Sequence, residues 1–448
     1  MPHPMPVCRP FFSVIPDFAA GRDTPRAYLE RCIERITELE PAIGAFVALN
    51  LEGARAAADR SEARWRAGRS LSNIDGMPLG IKDIIETVDM PTEQGSPLFA
   101  GWRTGRDAAT VAAAREAGAV IVGKTVTTEF ASTEPRGTRN PWDLARTPGG
   151  SSSGSAAAVA VGMVPAALGT QVVGSILRPA SYCGTLGFKP SLGGLNRGGS
   201  YDGLSQSCDG PLAATLEDAW IVAREISARA GGDPGFPGLS GPLAPPAPAR
   251  PRRLALLETA GWEVALPEAR ACLESAVGQI RSTGVEVVTR HTDRAIDELE
   301  AAIADANPRS RQINAWEGRW PLNVYRERDR TGLSAAALER LAVAEAMTLE
   351  EYQDLIAERA RVRATYARCA ASCDGCITLA APGPAPVGLE STGDPIFVSV
   401  GSYLGIPAFS LPVFNVAGLP LGLQVMGFEQ RDAPAFSLAS WLQGLLAG

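Results

Sequence analysis

Hydrophobic and polar positions follow two different patterns along the first half of the chain. Between residues 24 and 70, apolar residues recur with the spacing of an amphipathic helix, as in TPRAYLERCIERITELEP, where Thr24 and Pro25 supply a cap and a first turn. From residue 74 to about 225, short apolar runs alternate with alanine-rich segments such as DAATVAAAREAGAVIVGKT. This alternation predicts an α/β fold with a central, mainly parallel or mixed β-sheet flanked by helices on both faces.

The second half of the chain is less regular. Residues 228–253 are rich in proline and glycine, which is typical of an extended surface connection. Residues 254–370 begin with a strand–helix–strand pattern and continue as long charged helices, which we interpret as a helical insertion on the substrate side. Strand patterns return in residues 371–448, in GCITLAAP, GIPAFSLPVF and PLGLQVMGF, and are expected to rejoin the first sheet. We therefore predict a single large discontinuous domain, 1–448, with N-terminal helices in 1–70 and the catalytic core in 71–227.

Composition limits the class of protein and its partners. Of the 448 residues, 45% are hydrophobic and 20% are charged, which is typical of a soluble globular protein. The formal net charge is -7, and no cluster of lysine and arginine could neutralise several phosphates, so we expect no nucleic-acid partner. The first residues lack the charged and apolar regions of a signal peptide, so we expect a cytoplasmic location.

The longest apolar run, from Ser155 to Leu177, has the length of a membrane helix, which is about 20 residues. It contains Gly162, Pro165 and Gln171, which would interrupt a helix and leave polar groups in lipid. We interpret the run as a helix of small residues followed by a buried strand, and we expect no membrane association.

Histidine and cysteine narrow the candidate chemistry. The chain has two histidines, His3 and His291, and neither lies in a turn typical of a nucleophile, so a Ser-His-Asp triad and a histidine-rich zinc site are not expected. Cys369, Cys373 and Cys376 have a spacing that suits an iron–sulfur cluster, but they lie where a charged helix runs into a short strand. We interpret the eight cysteines as free or buried thiols and predict neither a metal nor a cofactor.

Lysine is rare in this chain, because arginine supplies all but three of the 42 basic residues. Lys82 lies within the apolar pattern LGIKDII, where burial can remove the proton of a lysine but not that of an arginine. The alternative for Lys82 is a buried ion pair with Asp83 or another acid. Lys124 and Lys189 end strand patterns, so we expect them to anchor loops.

Two glycine–serine motifs lie 24 positions apart in the segment TPGGSSSGSAAAVAVGMVPAALGTQVVGSILRPASYCG. The first motif precedes a helix of small residues, whose N-terminal N–H groups lack partners within the helix. The second places Ser175 between an apolar strand and a short helix. Backbone N–H groups at such a turn can form an oxyanion hole beside a serine nucleophile. The candidate oxyanion-hole residues are Val172, Val173 and Gly174.

Lys82 is the base that fits such a serine, because a lysine made neutral by burial can accept a proton. The motifs GGSSSGSAAAVAVGMVPAALGT, GSILRPASYCGTLGFKPS and MPLGIKDIIETVDMPTEQGS resemble the amidase signature family of serine hydrolases. The resemblance extends from about Thr24 to the C-terminal strands. It implies a triad of Ser175 as nucleophile, Ser151 as a bridging serine held in a cis peptide, and Lys82 as base, with Ser152 orienting the lysine. It also implies hydrolysis of a carboxamide through an acyl-enzyme.

Two departures from the family pattern bear on the substrate. Val173 stands where glycine is usual, which means either that its φ is negative or that the oxyanion hole is reshaped. Gln171 replaces a common Asp, and the arginine follows Ser175 by three positions, as Arg178, rather than by two. This arrangement resembles the malonamidase-like branch, in which an arginine near the nucleophile can pair with a substrate carboxylate. We hypothesise a small amide carrying a carboxylate bound by Arg178, with a structural ion pair of Arg178 as the alternative.

Three other functions stay open at this point. The chain resembles the glutamine-hydrolysing subunit of an aminoacyl-tRNA amidotransferase in its triad, but it lacks that subunit's usual arginine two positions after the nucleophile. A protein that keeps the fold and acts by binding is the second alternative. Acyl transfer to an amine other than water is the third. A homodimer is an expectation of the family, whereas the acyl group, the leaving amine and the pathway are not predicted.

Overall fold

The computed structural model describes residues 6–132 and 134–447. The helices are α1 Ile15–Ala19, α2 Pro25–Ile43, α3 Leu51–Arg66, α4 Ala109–Glu116, α5 Ser153–Ala160, α6 Leu177–Cys183, α7 Leu216–Ala230, α8 Pro267–Ser282, α9 Arg294–Ile303, α10 Ala306–Glu317, α11 Arg319–Arg328, α12 Ala335–Ala346, α13 Leu349–Cys369, α14 Ser399–Leu404 and α15 Asp432–Leu446. The strands are β1 Phe46–Leu49, β2 Pro78–Lys82, β3 Val120–Thr125, β4 Ala166–Gln171, β5 Leu186–Lys189, β6 Cys208–Ala213, β7 Arg253–Leu256, β8 Glu286–Val288, β9 Gly375–Leu379, β10 Ala408–Val416 and β11 Leu419–Met426.

These strands form one mixed sheet of 11 strands in the order β1-β3-β2-β4-β6-β5-β10-β11-β9-β7-β8. Strand β2 is parallel to β3 and β4, and β7 is parallel to β8 and β9. The other neighbours are antiparallel. The α/β class and the central mixed sheet are therefore confirmed, and the strands of the last 75 residues lie in the same sheet as those of the first half.

Strand β4 shows how the sheet is buried between two layers of helices. All six of its residues are buried. Ala166 and Leu168 pack with α4 and α7, whereas Ala167 packs with α3 and α5. Because alternate side chains of a strand point to opposite faces, both faces of β4 are covered, and this burial explains its continuous apolar run.

The N-terminal 70 residues contain a strand as well as helices, which corrects the prediction of helices alone. Strand β1 pairs antiparallel with β3 at one edge of the sheet. Its residues alternate between half-buried and exposed, and Val47 and Leu49 face outward. Four residues with this exposure do not form the apolar run by which the inner strands were predicted.

Strand β2 ends at Lys82 and does not continue through the apolar residues that follow. The N–H groups of Ile84 and Ile85 both donate to the Lys82 carbonyl, at 2.8 and 2.9 Å, so the chain turns there. Because β2 and β4 are parallel, their carboxyl ends lie at the same edge of the sheet. Lys82 therefore lies beside the end of β4, where the second glycine–serine motif begins.

The apolar run from Ser155 folds as α5, then β4 and the turn that leads into α6, as the sequence indicated. No helix in the described part of the chain combines the length and the apolar character needed to span a membrane.

Candidate active site

Lys82 is fully buried and contacts hydroxyl groups rather than acids. Its Nζ lies 2.6 Å from Ser151 Oγ and 2.8 Å from Thr170 Oγ1. Burial lowers the pKa of Lys82 from 10.5 to about 7, against the opposing effect of the carboxylates of Asp202 and Asp209. At neutral pH a large fraction of this amine is therefore uncharged and able to accept a proton.

The other two lysines have different partners. Lys124 Nζ lies 3.0 Å from Asp83 Oδ1 and donates to Thr92 Oγ1 at 2.7 Å, so Asp83 is paired with Lys124 and not with Lys82. Lys189 Nζ donates to the Pro190 carbonyl at 2.8 Å. Both lysines fasten the loops beside them, as predicted.

The first glycine–serine motif leads directly into α5, and the peptide bond between Gly150 and Ser151 is cis. Ser152 occupies the cap position of α5, and its N–H donates to the Ser175 carbonyl at 3.3 Å. This hydrogen bond brings the two motifs together. The Ser152 hydroxyl lies 3.3 Å from the Thr170 carbonyl.

The orientation of Lys82 therefore involves a residue that the sequence did not single out. The side chain in contact with Lys82 is that of Thr170, and Ser152 reaches the lysine through the backbone of Thr170 rather than directly. Thr170 is the last but one residue of β4, opposite the lysine on the neighbouring strand. The parallel pairing of the two strand patterns was the signal that could have identified it.

Ser175 lies in the turn between β4 and α6 and lines a large cavity, with 8% of its surface exposed. Among the described residues, the backbone N–H groups of the whole turn from 172 to 175 donate to no protein acceptor. The next two N–H groups, at positions 176 and 177, both donate to Gln171 Oε1 at 2.9 Å. The turn thus presents unused donors beside a serine hydroxyl, which is the arrangement of an oxyanion hole.

The turn is tied back by its carbonyl groups. The Val173 carbonyl accepts from Ser402 Oγ at 2.9 Å, and the Val172 carbonyl accepts from Gln206 Nε2 at 3.1 Å. Gln171 Nε2 donates to Ser402 Oγ at 2.9 Å and so joins the same network. Sequence reasoning noted Gln171 only as a departure from a pattern, and nothing in the local sequence indicated the other two positioning residues.

Val173 is accommodated without unusual backbone geometry, since it is not among the residues with positive φ. This observation answers the first alternative raised by the sequence. Gly174 is needed for space rather than for conformation, because a Cβ at this position would lie 2.5 Å from Val398 Cγ2.

Arg178 is 5% exposed and bonds only to uncharged oxygens. Its Nη1 donates to the Gly393 carbonyl at 2.9 Å, and its Nη2 donates to the Gly150 carbonyl at 2.8 Å and to Thr392 Oγ1 at 2.9 Å. Burial lowers the pKa of Arg178 to about 10. Within the described residues it forms no ion pair, so that alternative is wrong. Recognition of a substrate carboxylate by Arg178 stays a prediction, and the bonds present fasten the carbonyl of the cis peptide.

The cavity in front of Ser175 has a volume of about 1000 Å³. Helices α10, α11 and α12 supply one side, so the helical insertion contributes lining residues as expected. Near the mouth the lining is apolar and aromatic, with Phe130, Tyr325, Val343 and Trp320, the last of which is 73% exposed. Ligand pockets span roughly 300 to 1,000 Å³, so this cavity can hold a substrate much larger than a simple aliphatic amide.

The remaining candidate groups lie away from the cavity. His291 is exposed and lies 3.3 Å from Glu258 Oε1, while His3 falls outside the described residues. Cys369, Cys373 and Cys376 are buried at the end of α13 and the start of β9. No group of three or more histidine, cysteine or acidic side chains suited to a metal ion is found in residues 6–132 and 134–447.

Comparisons with known proteins agree with this geometry. The family model Amidase matches residues 27–434. A glutamyl-tRNA(Gln) amidotransferase subunit from Anaeromyxobacter sp. (strain K) is 34% identical, with 93% of this chain and 92% of that protein covered, and its counterpart from Chloroflexus aggregans is also 34% identical, with 91% and 90% covered. A crystal structure of an amidase has a TM-score of 0.83 at 28% identity, covering 98% of this chain and 100% of that chain. The peptide amidase from Stenotrophomonas maltophilia has a TM-score of 0.79 at 26% identity, covering 98% and 96%.

Proposed function

The chain belongs to the amidase family, and we propose that it hydrolyses a carboxamide through Ser175, Ser151 and Lys82. The observation that carries this proposal is the contact of 2.6 Å between Lys82 Nζ and Ser151 Oγ in a site where the lysine has no acidic hydrogen-bond partner among the described residues. A buried amine with a pKa lowered to about 7 and a hydroxyl as its partner is a base rather than a structural cation.

Each proton and bond of the reaction has a place in this arrangement. Neutral Lys82 accepts the proton of Ser151, and Ser151 in turn accepts the proton of Ser175 as Ser175 Oγ attacks the amide carbon. The negative charge that forms on the carbonyl oxygen is stabilised by the unused N–H groups of the 172–175 turn. The proton returns through Ser151 to the leaving nitrogen, which departs as ammonia or an amine. Water then cleaves the ester on Ser175 and releases the carboxylic acid.

The proposal is tested by labelling with a fluorophosphonate, which reacts with an activated serine. We expect a single adduct on Ser175, located by mass spectrometry, and its loss in Ser175→Ala, Ser151→Ala and Lys82→Met. Ser153→Ala is a matched control, because Ser153 lies in the same motif but its hydroxyl contacts only the Val126 carbonyl, at 3.3 Å. Absence of an adduct in the wild type, or labelling that survives in Lys82→Met, would contradict the proposal.

The role of Lys82 needs a second control, because any change at a buried lysine alters packing. Lys189→Met removes another fully buried lysine of the same sheet. We expect Lys189→Met to keep the labelling rate of the wild type. Equal loss in both lysine variants would indicate damage to the sheet rather than loss of a base.

The glutamine-hydrolysing subunit of an amidotransferase is the second candidate, favoured by 34% identity over most of the chain. Leu177 occupies the position where that subunit usually carries an arginine, which counts against it. Glutamine hydrolysis by the purified chain, measured as ammonia release, and its molecular mass in solution separate the two. A homodimer or monomer that hydrolyses simple amides but not glutamine supports the first proposal, and glutamine hydrolysis supports the second.

A further inference from the structure

One wall of the cavity carries oxygen atoms rather than N–H groups. The loop of residues 202–206 lies between the turn that holds Ser175 and helix α10. Gln206 Nε2 bonds the loop to the Val172 carbonyl at 3.1 Å, and Glu317 Oε2 on α10 accepts from the Ser205 N–H at 2.7 Å. Asp202 on this loop and Asn314, one turn before Glu317 on α10, both line the cavity.

Two of these oxygens have no partner. Asp202 Oδ2 and Asn314 Oδ1 are buried and accept no hydrogen bond from the part of the chain that the structure describes. The residues themselves are only 5% and 6% exposed. The other Asp202 oxygen accepts only from Ser200 Oγ, at a long 3.3 Å. Burying a carboxylate oxygen without a donor costs free energy, and a donor supplied by a ligand recovers it.

The cations nearest to Asp202 are bonded to other groups. Arg197 Nε lies 2.6 Å from Asp233 Oδ2, and Lys82 is turned toward Ser151. Arg359 Nη1 donates to Ser205 Oγ at 2.9 Å, behind the loop. Asp202 therefore keeps its charge uncompensated by a salt bridge within the described residues, close enough to the lysine to raise the pKa of that amine.

We propose that Asp202 and Asn314 bind a protonated primary amine of the substrate, so that the cavity prefers amides that carry an ammonium group. An ammonium has three donors and no acceptor, which matches two unpartnered oxygens and a negative charge on one wall. The proposal that this ligand is hydrolysed rests on the proposed function, whereas its binding does not. It differs from the carboxylate-bearing amide that Arg178 suggested, and Arg311 and Arg340, which also line the cavity, would favour that opposite charge.

Binding is measured by calorimetry on the Ser175→Ala variant, which removes turnover from the experiment. The probes are three primary amides of similar length: 4-aminobutanamide, which is cationic, pentanamide, which is neutral, and succinamate, which is anionic. We expect 4-aminobutanamide to bind at least roughly tenfold more tightly than pentanamide, and Asp202→Asn added to this variant to abolish that advantage while leaving pentanamide affinity within about twofold.

Glu339→Gln is the matched control, because Glu339 is an exposed acid on another wall of the cavity. It removes one negative charge without touching the wall formed by Asp202 and Asn314, so we expect it to leave the preference for the cation intact. Tighter binding of succinamate, equal binding of all three amides, or a cation preference that Asp202→Asn leaves unchanged would each overturn the inference. No binding of 4-aminobutanamide at about 10 mM, which corresponds to less than about 3 kcal/mol, would overturn it too.

The failure of this inference is distinguishable from the failure of the proposed function. Fluorophosphonate labelling of Ser175 without any preference for the cation removes the ammonium site and leaves the hydrolase. Cation binding that depends on Asp202, without labelling of Ser175, keeps the ammonium site and removes the hydrolase.

Discussion

Replacing Lys82 by methionine should stabilise the folded protein at neutral pH, although it should abolish labelling of Ser175. The folded state lowers the pKa of Lys82 from 10.5 to about 7 because the amine is fully buried. Between these two pH values the unfolded chain binds more protons at this position than the folded chain does, so burial of the lysine costs stability. That lowering corresponds to about 4 kcal/mol of unfolding free energy at pH 7.

Methionine has a similar length and no charge to desolvate, so the variant avoids this cost. It also loses the hydrogen bonds to Ser151 and Thr170, which contribute about 1 kcal/mol each. We therefore expect a net gain of about 2 kcal/mol at pH 7. The sign of the pH dependence is fixed: the advantage of the variant is largest at and below pH 7, and it falls as the pH rises toward 10.5, where the lysine is neutral in both states.

Urea unfolding of the wild type and Lys82→Met at several pH values between 7 and 10 measures this difference. All other titrating groups are common to both proteins, so the change in the difference with pH reports Lys82 alone. A difference that stays constant over this range would show that Lys82 has the same protonation in the folded and unfolded states. That result would refute both the lowered pKa and the role of this lysine as a base.

Three further predictions concern the turn and its neighbours. The rate of fluorophosphonate labelling should rise roughly tenfold between pH 6 and pH 8, because the neutral fraction of an amine with a pKa of about 7 rises by that factor, and a flat profile would exclude Lys82 as the base. Gln171→Leu leaves the buried N–H groups of Ile176 and Leu177 without an acceptor, so we expect a loss of about 2 kcal/mol in urea unfolding together with slower labelling; an unchanged rate would show that the turn does not depend on Gln171. Arg178→Lys cannot bridge three oxygens, so kcat should fall about tenfold for neutral and acid-bearing amides alike, whereas a rise in KM for the acid-bearing amide alone would assign Arg178 to a substrate carboxylate.

Much of the site could be predicted from the sequence because its parts are local. The turn that carries Ser175 follows from an apolar strand, a Gly-Ser pair and a short helix, all within 20 residues. The motifs around Lys82 and Ser151 are likewise continuous segments whose resemblance to a family needs no knowledge of packing. The proposed roles of these three residues still await the labelling experiment.

The environment of those residues could not be predicted in the same way. Gln206 and Ser402 hold the carbonyl groups of the turn from distant parts of the sequence, and the partners of Arg178 at Thr392 and Gly393 lie more than 200 positions away. Pairs of this kind are set by the order of strands in the sheet and by helices packed on its faces, which periodicity does not encode.

The sequence by itself determined the α/β class, the positions of the inner strands and the two glycine–serine motifs, because apolar periodicity and turn residues act over a few positions. Only the tertiary structure decided that Thr170 rather than Ser152 touches Lys82, that Arg178 bonds to carbonyl groups, and that Asp202 faces the cavity without a partner. The physical reason is that the charge and hydrogen-bonding state of a polar side chain depend on what surrounds it in three dimensions. Burial, which lowers the pKa of Lys82, exists only once the sheet and its helices have closed around it.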